Sequence, residues 1–416
     1  MKMMDTERVE SKGKRKTELM DFEIDKNGVL KEYTGDHDTV EIGADIQKIG
    51  PHAFEGKGIR KITIPSNVKS IGSEAFKNCH QLEEVILHEG LEKIESCAFE
   101  RCENLVQITI PQSVKLLDVG AFSYCKGLKQ IVVSEGIQKI GRAAFLNCEN
   151  LEEVTFPKHP VKIDALAFAD CRKLNSISIP EGNKTIEPNT FIHCASLKEI
   201  EFPDCLTAIE NSAFEGCRAL EKINLPKDVK KIHVYAFRGC TKLKEIHFSH
   251  RLEEIGEYAF DNCQKLEEVV FPDTLKIIEV GAFCNCEGLT LISFPGDIKE
   301  VSSDLGVSIT EAEDDDFGFD EGFSFSIYRD TRNTLKLKNR RIVVRGSLGE
   351  PLKKVLQKNK VMDKVCLPDI ECSMAPVAAR EATALYILQK QREGSEIPSN
   401  ILSSYLKYMK AHNIPM

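Results

Sequence analysis

FKNCHQLEEVILHEGLEKIESCAF (residues 76–99) is one unit of a repeat, and its reading decides the fold. After Phe76 the apolar positions are Cys79, Leu82, Val85, Leu87, Leu91, Ile94 and Ala98, at offsets 3, 6, 9, 11, 15, 18 and 22. The following unit repeats the ladder with Phe99, Cys102, Leu105, Ile108, Ile110, Val114, Leu117 and Ala121. It is intact late in the chain as Phe260, Cys263, Leu266, Val269, Phe271, Leu275, Ile278 and Ala282. The phenylalanines themselves stand at 54, 76, 99, 122, 145, 168, 191, 214, 237, 260 and 283, the first interval 22 residues and all others 23. A fixed period of this size means a solenoid, because each unit can bury its apolar side only against its neighbours.

Within a unit, Leu-x-x-Ile-x-Ile ends in strand alternation, as at Ile108 and Ile110 or Ile177 and Ile179. Proline follows at Pro111, Pro157, Pro180, Pro203, Pro226 and Pro272, and having no N–H it marks where the strand stops. Ala-Phe-x-x-Cys is too short for a regular helix and predicts a single 3₁₀ turn or tight bend whose phenylalanine plugs the core. Ile71, Ile94, Ile140 and Ile255 predict a second short strand across the coil. Parallel strands ~4.8 Å apart would make about eleven coils roughly 50 Å long.

The unit Cys-x-x-Leu-x-x-Ile-x-Ile-Pro-x-x-Val-x-x-Ile-Gly-x-x-Ala-Phe, clearest over Cys102–Phe122 and Cys217–Phe237, resembles the repeat of BspA-like leucine-rich repeat proteins. The resemblance covers residues 40–301 and implies an α/β repeat solenoid, a right-handed horseshoe or superhelix of short parallel strands and 3₁₀ turns. It implies protein binding, with the Leu-x-x-Ile-x-Ile strand on the concave face. Family members are mostly bacterial, some are protist, and several are surface adhesins.

Five segments are expected. Residues 1–20 read as a polar, disordered tail, whose Lys12, Lys14, Arg15 and Lys16 form a small basic cluster. Residues 21–45 read as a hairpin cap, since Asn27-Gly28 favours a type I′ turn and terminal coils of a solenoid need covering. The repeats span 46–305. Residues 306–322 read as an acidic linker, with seven carboxylates in EAEDDDFGFDEG (311–322) at a spacing that does not fit a calcium loop. Residues 323–416 read as a small α/β or helical module covering the open end. It opens on the strand-like LKLKNRRIVVRG and ends in two amphipathic helices, one carrying Ala378, Ala382 and Leu385, the other Ile401, Leu402, Tyr405 and Leu406. A monomer is expected, with homodimerisation through this module as the alternative.

Net charge is −9, from 65 acidic against 56 basic residues, which argues against a nucleic-acid partner. No apolar run is long enough to span a membrane. The N-terminal stretch lacks the apolar core of a secretion signal, so a cytoplasmic location is expected, with the cell surface by unconventional export as the alternative. Ten of the 15 cysteines fall in one register, Cys79 to Cys286. Side chains stacked in a column project in parallel, a poor geometry for disulfides, so they read as free thiols acting as small buried hydrophobes, in keeping with a reducing compartment. Cys284 and Cys286 lack a second pair at zinc spacing, and neither metal nor cofactor is expected.

The strand positions between the inward ones define a candidate face. One column carries Lys61, Glu84, Gln107, Gln130, Glu153, Ser176, Glu199, Lys222, Glu245, Glu268 and Leu291; its neighbour carries Thr63, Ile86, Thr109, Val132, Thr155, Ser178, Glu201, Asn224, His247, Val270 and Ser293. The candidate protein-binding residues are Glu84, Thr109, Glu153, Glu199, Glu201, Lys222, Glu245, His247 and Glu268. The face is polar with an acidic lean, suited to a basic segment, and equally readable as ordinary solvated strand. No nucleophile, metal or phosphate motif stands out. His193 beside Cys194 reads as an accident of the repeat, and His233 and His247 have no evident carboxylate partner. The expected function is a non-enzymatic protein-binding module, an intracellular scaffold or recognition protein, with a surface adhesin as the alternative.

Overall fold

The computed structural model describes residues 21–295, 298–301, 341–345, 350–358 and 365–366. It is a β-solenoid in which every coil contributes two short strands to two parallel ladders. The broad ladder holds strands such as Lys61–Ile64, Glu84–Leu87 and Glu153–Thr155; the narrow ladder holds two-residue strands such as Ser70–Ile71, Lys93–Ile94 and Lys139–Ile140. Pairing is in register at the repeat interval, Ile62 with Val85 and Ile71 with Ile94. Identical positions therefore stack.

The phenylalanines form one continuous internal spine. Successive rings from Phe54 to Phe283 lie 4.9 to 5.7 Å apart and within 15° of parallel. All are buried. Tyr33 takes the place of a phenylalanine at the N-terminal end, 5.0 Å from Phe54, and its hydroxyl accepts the His37 N–H at 3.2 Å. Phe22 packs on its far side at 5.5 Å, tilted by 44°, and a phenol suits this position because its oxygen can meet a polar partner near the end of the apolar column.

The cysteine column does more than fill space. Each thiol donates to the carbonyl of the phenylalanine one coil back, from Cys79 to Phe54 at 3.0 Å through Cys148 to Phe122 at 3.2 Å to Cys286 to Phe260 at 3.1 Å. None of the thirteen cysteines from Cys79 to Cys286 is in a disulfide.

Two expectations about local structure need correction. The α/β class fails for the coils: they contain strands and turns, and Glu350–Lys358 is the one helix among the described residues. Of the two forms expected for Ala-Phe-x-x-Cys, the tight bend is the one that forms. Ala75, Lys77 and Cys79 donate three residues back, while Glu74, Phe76 and Asn78 donate to carbonyls of the next coil. Such alternation needs two residues per coil with positive φ, for instance Glu74 at 58° and Asn78 at 61°, and a left-handed residue cannot continue a 3₁₀ run. At the N-terminus, Phe22–Ile24 and Val29–Tyr33 pair antiparallel with a register shift. The turn is not type I′, since of Asn27 and Gly28 only Gly28 has positive φ, 72°. Asp25 Oδ1 instead accepts the N–H groups of Asn27 and Val29 at 2.9 and 3.1 Å, which holds its carboxyl below the usual range.

At the far end, Arg341–Arg345 pairs in parallel with Leu291–Pro295, extending the broad ladder, and Val365–Cys366 follows it. Leu352 of the helix is buried in the main core. The two C-terminal helices expected after residue 373, the acidic linker and the N-terminal tail lie outside the described residues.

One coil is irregular. Elsewhere the interval from the last apolar position of Leu-x-x-Ile-x-Ile to the next core position is four, as from Leu87 to Leu91 or Phe202 to Leu206; from Phe156 to Val161 it is five. In the following coil Asn183 occupies the Val/Leu column and is buried. Its Nδ2 donates to the Val161 and Pro180 carbonyls at 2.8 and 2.9 Å, and its Oδ1 accepts the Ile163 N–H at 3.1 Å. A buried amide is tolerated when its partners are present, and here the slipped loop supplies them.

Candidate functional site

Strand alternation sends every second side chain of the broad ladder outward, so the nine candidate residues share one face in two adjacent columns. Glu84, Thr109, Glu153, Glu199, Glu201, Lys222 and Glu268 are exposed, and Glu245 and His247 half-buried. The face closes at its C-terminal end, where Leu291 and Ser293 of the same columns are buried.

Stacking pairs charges that are far apart in sequence. Lys61 Nζ lies 2.7 Å from Glu84 Oε2, and Lys222 Nζ lies 3.0 Å from Glu245 Oε2. His247 Nε2 lies 2.6 Å from Glu245 Oε1 and its Nδ1 2.6 Å from Asn224 Oδ1. His233 Nε2 lies 3.8 Å from Glu210 Oε1. Both histidines thus have carboxylate partners, against the expectation from sequence: one partner sits two residues along the strand, the other in the coil below. Glu153, Glu199 and Glu201 form no ion pair among the described residues. Beside them the face is neutral, with Gln107, Gln130, Thr109 and Thr155 around Val132, whose side chain is 57% exposed. The acidic lean is therefore concentrated in the middle coils.

The turn side of the coils carries groups that reading the strands alone misses. Tyr235 and Tyr258 stack at 5.6 Å, with the Arg238 guanidinium 5.0 Å from the Tyr235 ring. Arg238 also pairs with Glu215 and Asp261. Arg101 lies over Tyr124 at 4.8 Å. The sequence signal is the shared register, since Tyr235 and Tyr258 are 23 residues apart, as are Arg101 and Tyr124. Each of these cations already has a partner within the fold.

His52, Glu55 and Glu74 bring three ligand-type atoms within 4.8 Å. The His52–Glu55 contact at 2.7 Å and the Lys77–Glu74 pair at 2.9 Å account for them as an exposed ion network. His193 Nδ1 lies 3.4 Å from Asp170 Oδ1, and that hydrogen bond raises its pKa; it faces Asp170, while Cys194 points into the core. Burial pushes the Cys79 thiol up to about 12 and likewise raises Cys102, Cys148, Cys171, Cys217 and Cys263 well above the ordinary thiol value. A thiol so shifted is not a nucleophile at neutral pH.

The chain matches the family model described as BspA type leucine rich repeat region over residues 47–175, 161–290 and 253–305, in six copies. Among solved structures it is similar to a leucine rich cell surface protein of Faecalibacterium prausnitzii, at 27% identity and a TM-score of 0.49, covering 67% of this chain and 88% of that one. A leucine-rich repeat protein of Bacteroides ovatus follows at 25% identity and 0.47, covering 65% and 90%. The pneumococcal vaccine antigen PcpA is similar at 18% identity and 0.46, covering 82% and 93%. No curated protein matches the chain. With the family model spanning more than half of its length, the chain belongs to the BspA-type leucine-rich repeat family.

Proposed function

We propose that this solenoid is a protein-binding module without chemistry of its own, and that the broad-ladder face, taken as the concave side, receives an extended basic segment of a partner protein. The observation that carries the reading is the exposed set Glu153, Glu199 and Glu201 beside the neutral ground around Val132. The ion pairs at Glu84 and Glu245 mark the ends of the acidic stretch. Regular stacking keeps the face in one arrangement, so little conformational entropy is lost on binding. Buried, protonated thiols support a non-enzymatic role. The free-thiol column also supports folding in a reducing compartment, and so an intracellular scaffold.

The test is affinity capture from native lysate with the wild-type chain and with Glu153→Lys/Glu199→Lys/Glu201→Lys, followed by quantitative mass spectrometry. Specific partners should fall at least tenfold with the reversed face while circular dichroism stays unchanged. Capture of wild-type partners should weaken with added salt, as expected for exposed charges. Equal capture by both chains would remove the face from consideration. The adhesin reading follows from the family resemblance. Labelling of the chain on intact cells by a membrane-impermeant reagent would favour it over the scaffold.

A further inference from the structure

Between the strands Lys162–Ile163 and Thr185–Ile186 both ladders stop. The narrow ladder runs without a break from the N-terminal hairpin to Ile163, restarts at Thr185 and runs unbroken to Val301. The broad ladder is interrupted at the same step, with Glu153–Thr155 paired backward and Ser176–Ser178 paired forward only. It is interrupted at other steps too, but there the narrow ladder is continuous.

Three independent features of the sequence meet at this junction. The slipped loop at Pro160 and Val161 shifts the backbone groups that would start the narrow pairing. Asn183 then bridges the gap with its side chain instead of its main chain. Finally, the residue before each spine phenylalanine is alanine in every coil except one, where it is Thr190. Thr190 is buried, its Oγ1 donating to the Glu187 carbonyl at 2.7 Å. The spacing from Phe168 to Phe191, 5.7 Å, is the widest in the spine. The turn bonds across the junction, Leu166 to Pro188 at 3.1 Å, Phe168 to Thr190 at 3.0 Å and Asp170 to Ile192 at 2.8 Å, remain in place, so the loss is confined to the two ladders.

We propose that the solenoid is built as two cooperative blocks, residues 21–163 and 176–295, which flex and first come apart at the junction splinted by Asn183. In a one-dimensional stack cohesion is set by nearest-neighbour interfaces, and this interface has lost main-chain bonds in both ladders at once. Flexure here changes the separation of Glu153, on one block, from Glu199 and Glu201, on the other. The inference rests on backbone pairing and packing and stands whether or not that face binds a partner.

Native-state hydrogen exchange of the full chain, read by mass spectrometry, tests it. Peptides covering Ile163–Asp164 and Thr185–Glu187 should exchange roughly tenfold faster than the equivalent Ile140–Gly141 and Ile209–Glu210. Pulse labelling through a urea gradient should show the two blocks losing protection in separate steps. Uniform protection from coil to coil, a weakest junction elsewhere, or a single transition for the whole array would each overturn the proposal.

Discussion

Asn183→Leu separates two lines of reasoning that give opposite signs. Leucine stands at the same register in Leu206, Leu252 and Leu275, so restoring the consensus residue should stabilise by about 0.5–2 kcal/mol. The structure says otherwise. Asn183 makes three hydrogen bonds inside the core, two to carbonyls and one from the Ile163 N–H. Removing it strands that buried N–H at about 1–3 kcal/mol, and each carbonyl adds roughly 1 kcal/mol. The new leucine returns at most about 2 kcal/mol of apolar burial. The net expectation is destabilisation by about 1–3 kcal/mol. Urea unfolding followed by far-ultraviolet circular dichroism reads it as a lower midpoint of the first unfolding step, and exchange at Ile163 should accelerate. The reciprocal variant Leu206→Asn, placed in a regular coil without the slipped loop, buries an amide with no prepared partners and should cost more. A raised midpoint for Asn183→Leu would refute the claim that the amide is a splint.

Two glycines with nearly the same φ should respond differently to alanine. Gly216 (φ 74°) would place a Cβ 2.8 Å from His193 Cδ2, whereas Gly239 (φ 72°) would meet nothing closer than 3.7 Å. Left-handed strain is common to both, so Gly216→Ala should lower the unfolding free energy by about 1–2 kcal/mol and Gly239→Ala by less, read from the urea midpoints; equal losses would show that contact with His193 is irrelevant. For pH, the raised pKa of His193 in the fold means that its contribution is complete below the unfolded value of about 6.5 and is lost as pH rises through the folded value. The wild-type midpoint should therefore fall more than that of His193→Gln over that window, and parallel pH profiles would contradict the Asp170 pairing.

The spine, the cysteine column and both strands of each coil were legible because a repeat reports each position ten times over. What was illegible came from interactions between coils. The thiol-to-carbonyl bond of Cys148 to Phe122 leaves no trace in hydrophobic spacing, since sulfur reads as a small apolar group. The left-handed pair in each turn was half visible: Asn78, Asn147, Asp170, Asn262 and Gly216 fill the second position, residue types that tolerate positive φ. Glu74, Leu166 and Tyr235 occupy the first with no such preference, held there by ladder bonds on either side. The slip at Val161 could be counted in the sequence, but a single departure in an otherwise regular array looks like noise until Asn183 is seen to answer it.

The same averaging explains why the candidate face was harder to read than the fold. A column of Lys and Glu at a 23-residue interval looks like loose surface charge along the chain, yet stacking turns Lys61–Glu84 and Lys222–Glu245 into pairs at contact distance. Charge counted along one strand therefore overstates what a partner meets. The usable field is the remainder after neighbouring coils have neutralised each other, and it is left where Gln107, Gln130 and Ser176 interrupt the alternation of signs. Recognition in such a chain is written in departures from the repeat, as is its weakest junction, and at Glu153 and Glu199 the two kinds of departure fall on either side of one step.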